Sequence, residues 1–142
     1  MQKLKVLFLC TGNSCRSQMS EGMLRFFASD QFEIFSAGIE PAPRVNPLAV
    51  RVMKELGIDI SDQYPKHVRE FLNQSFDFVI TTCSNAKKAC PVFPGKTTNI
   101  YWDLKDPTEA RGTKAERLMV FRETRNLIYL NIMAFLKKYG KS

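Results

Sequence analysis

Apolar residues fall along this chain in short runs that alternate with stretches of helical spacing. Leu4 to Leu9 is a compact apolar run ending at a cysteine, the pattern of a buried parallel strand. From Ser17 to Ala28 the positions Met19, Met23, Leu24 and Phe27 recur at helical intervals. Glu33 to Ala37 reads as a second strand, and Gly38 to Asn46 as a loop marked by Pro41 and Pro43. Pro47 to Leu56 predicts a helix with proline in its first turn and Gly57 past its end. Another helix is expected over Pro65 to Asn73, opened by Pro65. Asp77 to Thr81 and Thr98 to Tyr101 predict the third and fourth strands. Between them, Ser84 to Ala89 holds good helix formers, with Ser84 as the expected cap. The last helix, Lys114 to Lys138, repeats Leu118, Phe121, Arg125, Ile128, Ile132 and Phe135 on one stripe.

A βαβ unit followed by further βα units predicts the α/β class: a doubly wound, four-stranded parallel sheet with helices on both faces. The 142 residues fit a single domain, 1–142. Sites in such sheets lie beyond the carboxyl ends of the strands. Cys10 follows the first strand, Cys83 the third and Asp106 the fourth, so the topology draws three chemically suggestive residues toward one edge.

Composition narrows the picture. Hydrophobic residues make up 44% and charged residues 25%, an ordinary soluble balance. No apolar run approaches the roughly 20 residues of a membrane span, and the first run is too short for a signal peptide core. A cytoplasmic location with no membrane partner is expected. The net charge of +7 comes from scattered lysines and arginines, with a mild cluster at Lys137, Lys138 and Lys141. Without a basic run interleaved with aromatics, no nucleic-acid partner is expected; a solvated surface that steers anions fits better. A monomer is the default expectation. The four cysteines stand at 10, 15, 83 and 90. A reducing compartment argues against static disulfides. The C-x6-C spacing of the second pair, and a lone histidine, His67, far from either pair, argue against zinc.

The segment Cys10-Thr11-Gly12-Asn13-Ser14-Cys15-Arg16-Ser17 places C-x5-R between a strand and a helix. A tight loop there can aim the backbone N–H groups of Thr11, Gly12, Asn13, Ser14, Cys15 and Arg16 at the oxygens of a tetrahedral anion, and the following helix adds its positive end. Gly12 is expected to supply unusual dihedrals. Arg16 suits bidentate binding of two oxygens. Cys10 lies at the base of this positive bowl, which favours its thiolate and makes it the candidate nucleophile. Ser17 is placed to hydrogen-bond that sulfur, and Cys15 is expected to be buried and inert.

The motif CTGNSCRS resembles the signature loop shared by low-molecular-weight protein tyrosine phosphatases and thioredoxin-coupled arsenate reductases. The similarity extends over nearly the whole chain, including Ser36-Ala37-Gly38-Ile39 and Asp106-Pro107. It implies a phosphatase-like fold, and Asp106 as the general acid that protonates a leaving oxygen. The phosphatase branch has aromatic residues after that Asp-Pro, forming a wall for phosphotyrosine. Here Thr108-Glu109-Ala110-Arg111 follow, and only Tyr101 and Trp102, upstream, offer a substitute.

The segment from Thr82 to Pro91, with Cys83 and Cys90, resembles the redox segment of the reductases. The resemblance implies a cascade on arsenate, with phosphate or sulfate as competing oxyanions. Cys10 forms the adduct, Cys83 attacks Cys10 as arsenite leaves, and Cys90 attacks Cys83. Thioredoxin then reduces the Cys83–Cys90 bridge, with a low-molecular-weight thiol such as mycothiol as the alternative donor. In an intact helix, residues seven apart lie about 10.5 Å apart along the axis, whereas a disulfide needs Cα atoms within about 7 Å. The helix between these cysteines is therefore expected to unwind on oxidation. A phosphatase, and a silent oxyanion-binding or redox-sensing module, are the other readings.

No organic cofactor is implied. Some reductases of this type bind potassium beside the loop, with ligands matching Asn13, Glu21 and Ser36. The expected aspartate near position 65 is replaced by Pro65-Lys66. One reading is that the Lys66 ammonium sits near Glu21 where the ion would lie.

Overall fold

The computed structural model describes residues 2–141. Strands β1 (Leu4–Cys10), β2 (Phe32–Gly38), β3 (Phe78–Thr81) and β4 (Thr98–Tyr101) form one sheet in the order β2-β1-β3-β4, with every pair parallel. Alternation along β1 explains its central place: Val6 and Phe8 join one apolar cluster, Leu7 and Leu9 the other, and all four are fully buried. On the first face lie α1 (Arg16–Ala28), α2 (Pro47–Lys54) and α4 (Lys114–Tyr139), packed around Met19, Met23, Val52, Phe121 and Ile128. The second face has a lighter cover: a one-turn 3-10 segment (Val68–Phe71), the short α3 (Ser84–Ala89), and the rings of Phe76 and Phe93. The expected doubly wound α/β sheet is present, and its layers are unequal.

The helix expected over Pro65–Asn73 is reduced to that single 3-10 turn. The cause is a competing set of backbone bonds. The Lys66 carbonyl accepts from Gly38 N–H at 2.8 Å, and the Lys66 N–H donates to Asn13 Oδ1 at 2.9 Å. His67 also forms a parallel bridge with Gly38. Extended backbone here extends the end of β2 and braces the Cys10–Arg16 loop. His67 then caps the turn, its Nδ1 accepting from Arg69 N–H at 3.1 Å. On α1, Met19, Met23 and Leu24 enter the core as expected, while Phe27 is 43% exposed and stacks edge-on against Phe26.

Helix α4 begins with a reciprocal cap between Thr113 and Glu116. Its buried stripe matches the predicted positions, including Arg125, which reaches Glu55 at 2.7 Å and the Val52 carbonyl at 2.9 Å. Arg122 forks onto the same carboxylate. The hydrogen bonds from Arg122, and then from Arg125, hold the Glu55 carboxyl down at about 2. This folded-state value lies below the unfolded carboxyl value of about 4.3. The α2–α4 clasp is therefore intact above the unfolded value and is lost as pH falls toward about 2. Glu55→Gln is expected to lower Tm at neutral pH and to flatten the acid limb of the Tm–pH profile, as read by thermal melts across that window.

Candidate active site

The loop after β1 is held by its carbonyl groups. The Cys10, Thr11, Gly12 and Ser14 carbonyls accept from the N–H groups of Ile39 (3.1 Å), Glu40 (2.9 Å), Ala42 (2.8 Å) and Asn46 (2.9 Å) in the β2–α2 connection. The Asn13 carbonyl accepts from Gln18 Nε2 at 3.0 Å, and the Cys15 carbonyl opens α1 by accepting from Met19 N–H at 2.8 Å. No peptide bond among the described residues is cis. Across a trans peptide the next N–H points opposite its carbonyl. The N–H groups of Thr11 through Arg16 are therefore turned away from these partners, and that of Asn13 meets the Cys10 sulfur. Helix α1 adds to this field: no side chain caps it and no acidic residue stands in its first turn.

Two features of the loop differ from expectation. The left-handed residue is Asn13, at φ 50°, not Gly12. Asparagine tolerates that conformation, and its buried side chain is tied on both ends. The glycine that the loop cannot replace is Gly38 on β2. A Cβ there would lie 2.6 Å from the Thr11 carbonyl oxygen and 3.1 Å from Asn13 N.

Cys10 is buried at the base of the bowl. Its Sγ accepts the Asn13 N–H at 3.1 Å and lies 2.8 Å from Ser17 Oγ. Asn13 Nδ2 donates to that same Ser17 oxygen at 2.7 Å. Asn13 thereby fixes the Ser17 hydroxyl beside the sulfur. Arg16 is 8% exposed, and its Nη1 donates to the Leu104 carbonyl at 3.0 Å. Its Nη2 stands 3.8 Å from Asp106 Oδ2, so the loop arginine and the candidate acid share one rim. The other Asp106 oxygen caps the Pro107–Glu109 turn, accepting from Thr108 N–H at 3.0 Å and from its hydroxyl at 2.7 Å. One carboxylate oxygen is fixed and the second is left toward Arg16.

The four cysteines, all free, divide by environment. Cys15 belongs to the first-face core, and burial pushes its thiol up to about 12, which keeps it inert as expected. Cys83 is 7% exposed and shares the second-face cluster with Cys10. Its Sγ lies 3.4 Å from Thr11 Oγ1, a side chain of the Cys10 loop. Asn85 Nδ2 donates to the Thr11 oxygen at 2.9 Å, which fixes that hydroxyl beside the Cys83 sulfur. Cys83 itself caps α3, its Sγ accepting from Ala86 N–H at 3.4 Å. The expected cap, Ser84, is instead the first helical residue, because the extended backbone at Cys83 already brings its sulfur over the turn. Cys90 follows the other end of α3; it is partly buried and its thiol is pushed up by burial. The intact helix holds the two cysteines about 10 Å apart along its axis.

The residues implied for potassium do not fit that ion. Glu21 is buried; one of its oxygens accepts the Ser36 hydroxyl and the other pairs with Arg25 Nη2 at 2.7 Å. Asn13 Oδ1 accepts from Gln18 Nε2 at 3.1 Å and from Lys66 N–H at 2.9 Å. The cation in contact with Glu21 is thus Arg25. The Lys66 ammonium lies within electrostatic reach of Glu21 but donates to the Tyr64 carbonyl at 2.7 Å and rests over the Tyr64 ring. Two cations already face one carboxylate. The candidate aromatic wall is also committed elsewhere: Trp102 packs on Phe8, and Lys87 lies 4.6 Å over the Tyr101 ring.

Gln18, Gln63, Asn85 and Gly38 matter to this site and were not read as site residues from sequence. Buried glutamines have no pattern of their own. Gly38 was visible only as part of a matching tetrapeptide.

A buried cysteine sulfur that accepts a loop N–H, at the end of β1 in this strand order and beside a buried arginine, defines the class of phosphatase-like oxyanion enzymes. The family model described as low molecular weight phosphotyrosine protein phosphatase matches residues 5–142, and the chain belongs to that family. Within it, the chain is similar to the arsenate reductase of Shouchella clausii (strain KSM-K16), with 47% identity over 135 residues, 95% of this chain and 96% of the relative. A solved structure of an arsenate reductase in the oxidized state matches with a TM-score of 0.81 and 31% identity, over 94% of this chain and 97% of that one. A thioredoxin-dependent arsenate reductase from Corynebacterium glutamicum matches with a TM-score of 0.65 and 30% identity, over 94% of this chain and 63% of that one.

Gly38→Ala tests the loop. The added methyl meets the Thr11 carbonyl and displaces the N–H array. Protection of Cys10 from alkylation by added arsenate or sulfate is expected to weaken about tenfold, the loss of one or two hydrogen bonds to the anion. Protection at the wild-type concentration would contradict the geometry.

Proposed function

We propose that this chain reduces arsenate to arsenite by a cysteine thiol–disulfide cascade. The observation that carries the reading is the second sulfur: Cys83 is hydrogen-bonded to the same loop whose base is Cys10. Phosphate transfer has no use for it, and reduction requires it. The 47% identity to a curated arsenate reductase supports the same choice.

In the first step the Cys10 thiolate attacks arsenic, an S–As bond forms, and one oxygen leaves as water after taking the Asp106 proton. The N–H groups and Arg16 hold the remaining oxygens. Cys83 then attacks the Cys10 sulfur. The S–S bond forms, the S–As bond breaks, and its electron pair stays on arsenic, which leaves as arsenite. Two thiols have become one disulfide, which matches the two electrons of As(V) to As(III). Cys90 next attacks Cys83 and frees Cys10, which requires α3 to unwind because the intact helix keeps the two too far apart for a bond.

An external dithiol returns the Cys83–Cys90 bridge to thiols. Thioredoxin is the donor we infer, supported by the likeness to the thioredoxin-dependent enzyme; a low-molecular-weight thiol is the alternative. A cycle that starts from three reduced thiols needs a reducing compartment, so we infer a cytoplasmic site of action. Among the described residues no helix is long and apolar enough to cross a membrane. We read Arg25 and Lys66 as the cations that answer Glu21 in place of potassium.

One turnover of reduced protein with arsenate and no donor tests the cascade. Arsenite release with a Cys83–Cys90 bridge, mapped by mass, is expected. Cys90→Ser is expected to release arsenite and stall at Cys10–Cys83. No arsenite, with ready hydrolysis of an aryl phosphate, would assign the bowl to a phosphatase.

A further inference from the structure

Helix α4 is apolar on two sides. The stripe of Phe121, Ile128 and Ile132 is buried in the first-face core. On the outward side stand Met119, Leu127 and Leu130, which are 58%, 52% and 62% exposed. At about 100° per residue, Leu130 points directly away from the core stripe. Beside it the apolar surface continues onto α1. The Tyr129 and Phe27 ring centroids are 6.0 Å apart, and those of Phe27 and Phe26 are 5.1 Å apart. Six of the eleven large hydrophobic side chains that are exposed among the described residues lie on these two helices, so they form a patch and not a scatter. A helix apolar on both sides is normally covered on both.

Charge decides what fits there. Residues 126–136 carry no charge. The charges that bound this stretch on the outward side are Glu123 and Lys137, each seven residues from Leu130 and both exposed. Among the described residues neither forms an ion pair. The flanking cations are already answered, Arg25 by Glu21 and Arg122 by Glu55. Seven residues are about 10.5 Å of helix and nearly two whole turns, so Glu123, Leu130 and Lys137 lie on one line. A second α4 running antiparallel, with a two-fold axis at Leu130, sets Glu123 of each copy opposite Lys137 of the other. A parallel pair would set glutamate on glutamate and lysine on lysine. The face is complementary to itself in one orientation, which is what an isologous dimer requires. Leu127 then falls beside Ala134 of the second copy, whose small side chain lets the helices approach.

We propose that the outward face of α4, with the end of α1, is the contact of a two-fold homodimer. The pair replaces the monomer expected from sequence, where the core side and the bare side of α4 could not be told apart by their apolar content. Helix α4 covers the first face of the sheet, whereas Cys10, Cys83 and Cys90 belong to the second. Pairing therefore leaves the loop after β1 and the α3 segment free, and it is independent of which oxyanion the site processes.

Sedimentation velocity of the reduced full chain, from about 1 to about 200 μM, tests the pairing over the weak end of protein association. Wild type is expected to pass from the 16.3 kDa chain to twice that mass, with Kd on the order of 10 μM. Leu130→Glu sets two carboxylates together at the axis and is expected to weaken pairing about a hundredfold, with Tm unchanged because the side chain is exposed. Glu123→Lys and Lys137→Glu each turn both ion pairs into repulsions, and each is expected to weaken pairing about tenfold. The double exchange, Glu123→Lys with Lys137→Glu, is expected to restore the wild-type Kd, a rescue that a merely adhesive surface does not give. Should Leu130→Glu melt early, the charge exchange carries the test. A wild type that stays one chain at the highest concentration would overturn the proposal and leave the face to a partner of another kind. A mass that grows past two chains, or a double exchange no better than either single one, would overturn it as well. Arsenate turnover per chain is expected to be equal below and above the transition, so this outcome is read separately from the reductase cascade.

Discussion

The site depends on one constraint: the peptide carbonyls from Cys10 to Cys15 are all bound to donors outside the bowl. Backbone of the β2–α2 connection takes four of them, Gln18 a fifth and the first turn of α1 the sixth. Each bond turns the following N–H the other way, so the loop's conformation is fixed by the fold around it. Gly38 is part of the same device, since the loop passes too close to β2 for a side chain. So is the extended stretch at Lys66, whose N–H and carbonyl tie Asn13 to the end of β2. The sheet order matters because it brings β2 and β3 to the two sides of β1. One neighbour then braces the loop, and the other delivers Cys83 to it.

The thiols are sorted by what surrounds them. Cys10 meets hydrogen-bond donors, Cys15 meets only core and a serine, Cys83 meets Thr11 and a helix turn, and Cys90 sits half-buried past the far end of that helix. The proposed cascade takes these thiols in order, from the anion outward. In the proposed cascade stability and chemistry compete in α3: its six residues hold Cys83 over Thr11, and they are few enough to melt at low cost for a Cys83–Cys90 bridge. The long α4 and its Arg125–Glu55 clasp lie on the opposite face of the sheet, where rigidity costs the cascade nothing.

Much of this was legible in the chain. The strand–helix alternation, the C-x5-R loop, the burial of Cys15 and the convergence of Cys10, Cys83 and Asp106 follow from residue types whose chemistry is specific. Three points were not. The Pro65–Asn73 segment has helical composition, but backbone bonds to Gly38 and Asn13 outweigh propensity. The strained position was assigned to Gly12 because glycine is the usual occupant, while Asn13 adopts it with side-chain bonds as compensation. The hydrogen bonds from Gln63 to Gln18 left no trace, since a glutamine at position 18 reads as an ordinary helix former until its burial is known.

The central claim is that one bowl serves oxyanion chemistry in general and that Cys83 makes it a reductase. The most direct measurement is a side-by-side assay of Cys83→Ser, following arsenite formation from arsenate and hydrolysis of an aryl phosphate in the same preparation. The account predicts that arsenite formation is abolished while aryl phosphate hydrolysis stays at the wild-type level. Continued arsenite formation, or parallel loss of both activities in a protein that melts like wild type, would contradict it.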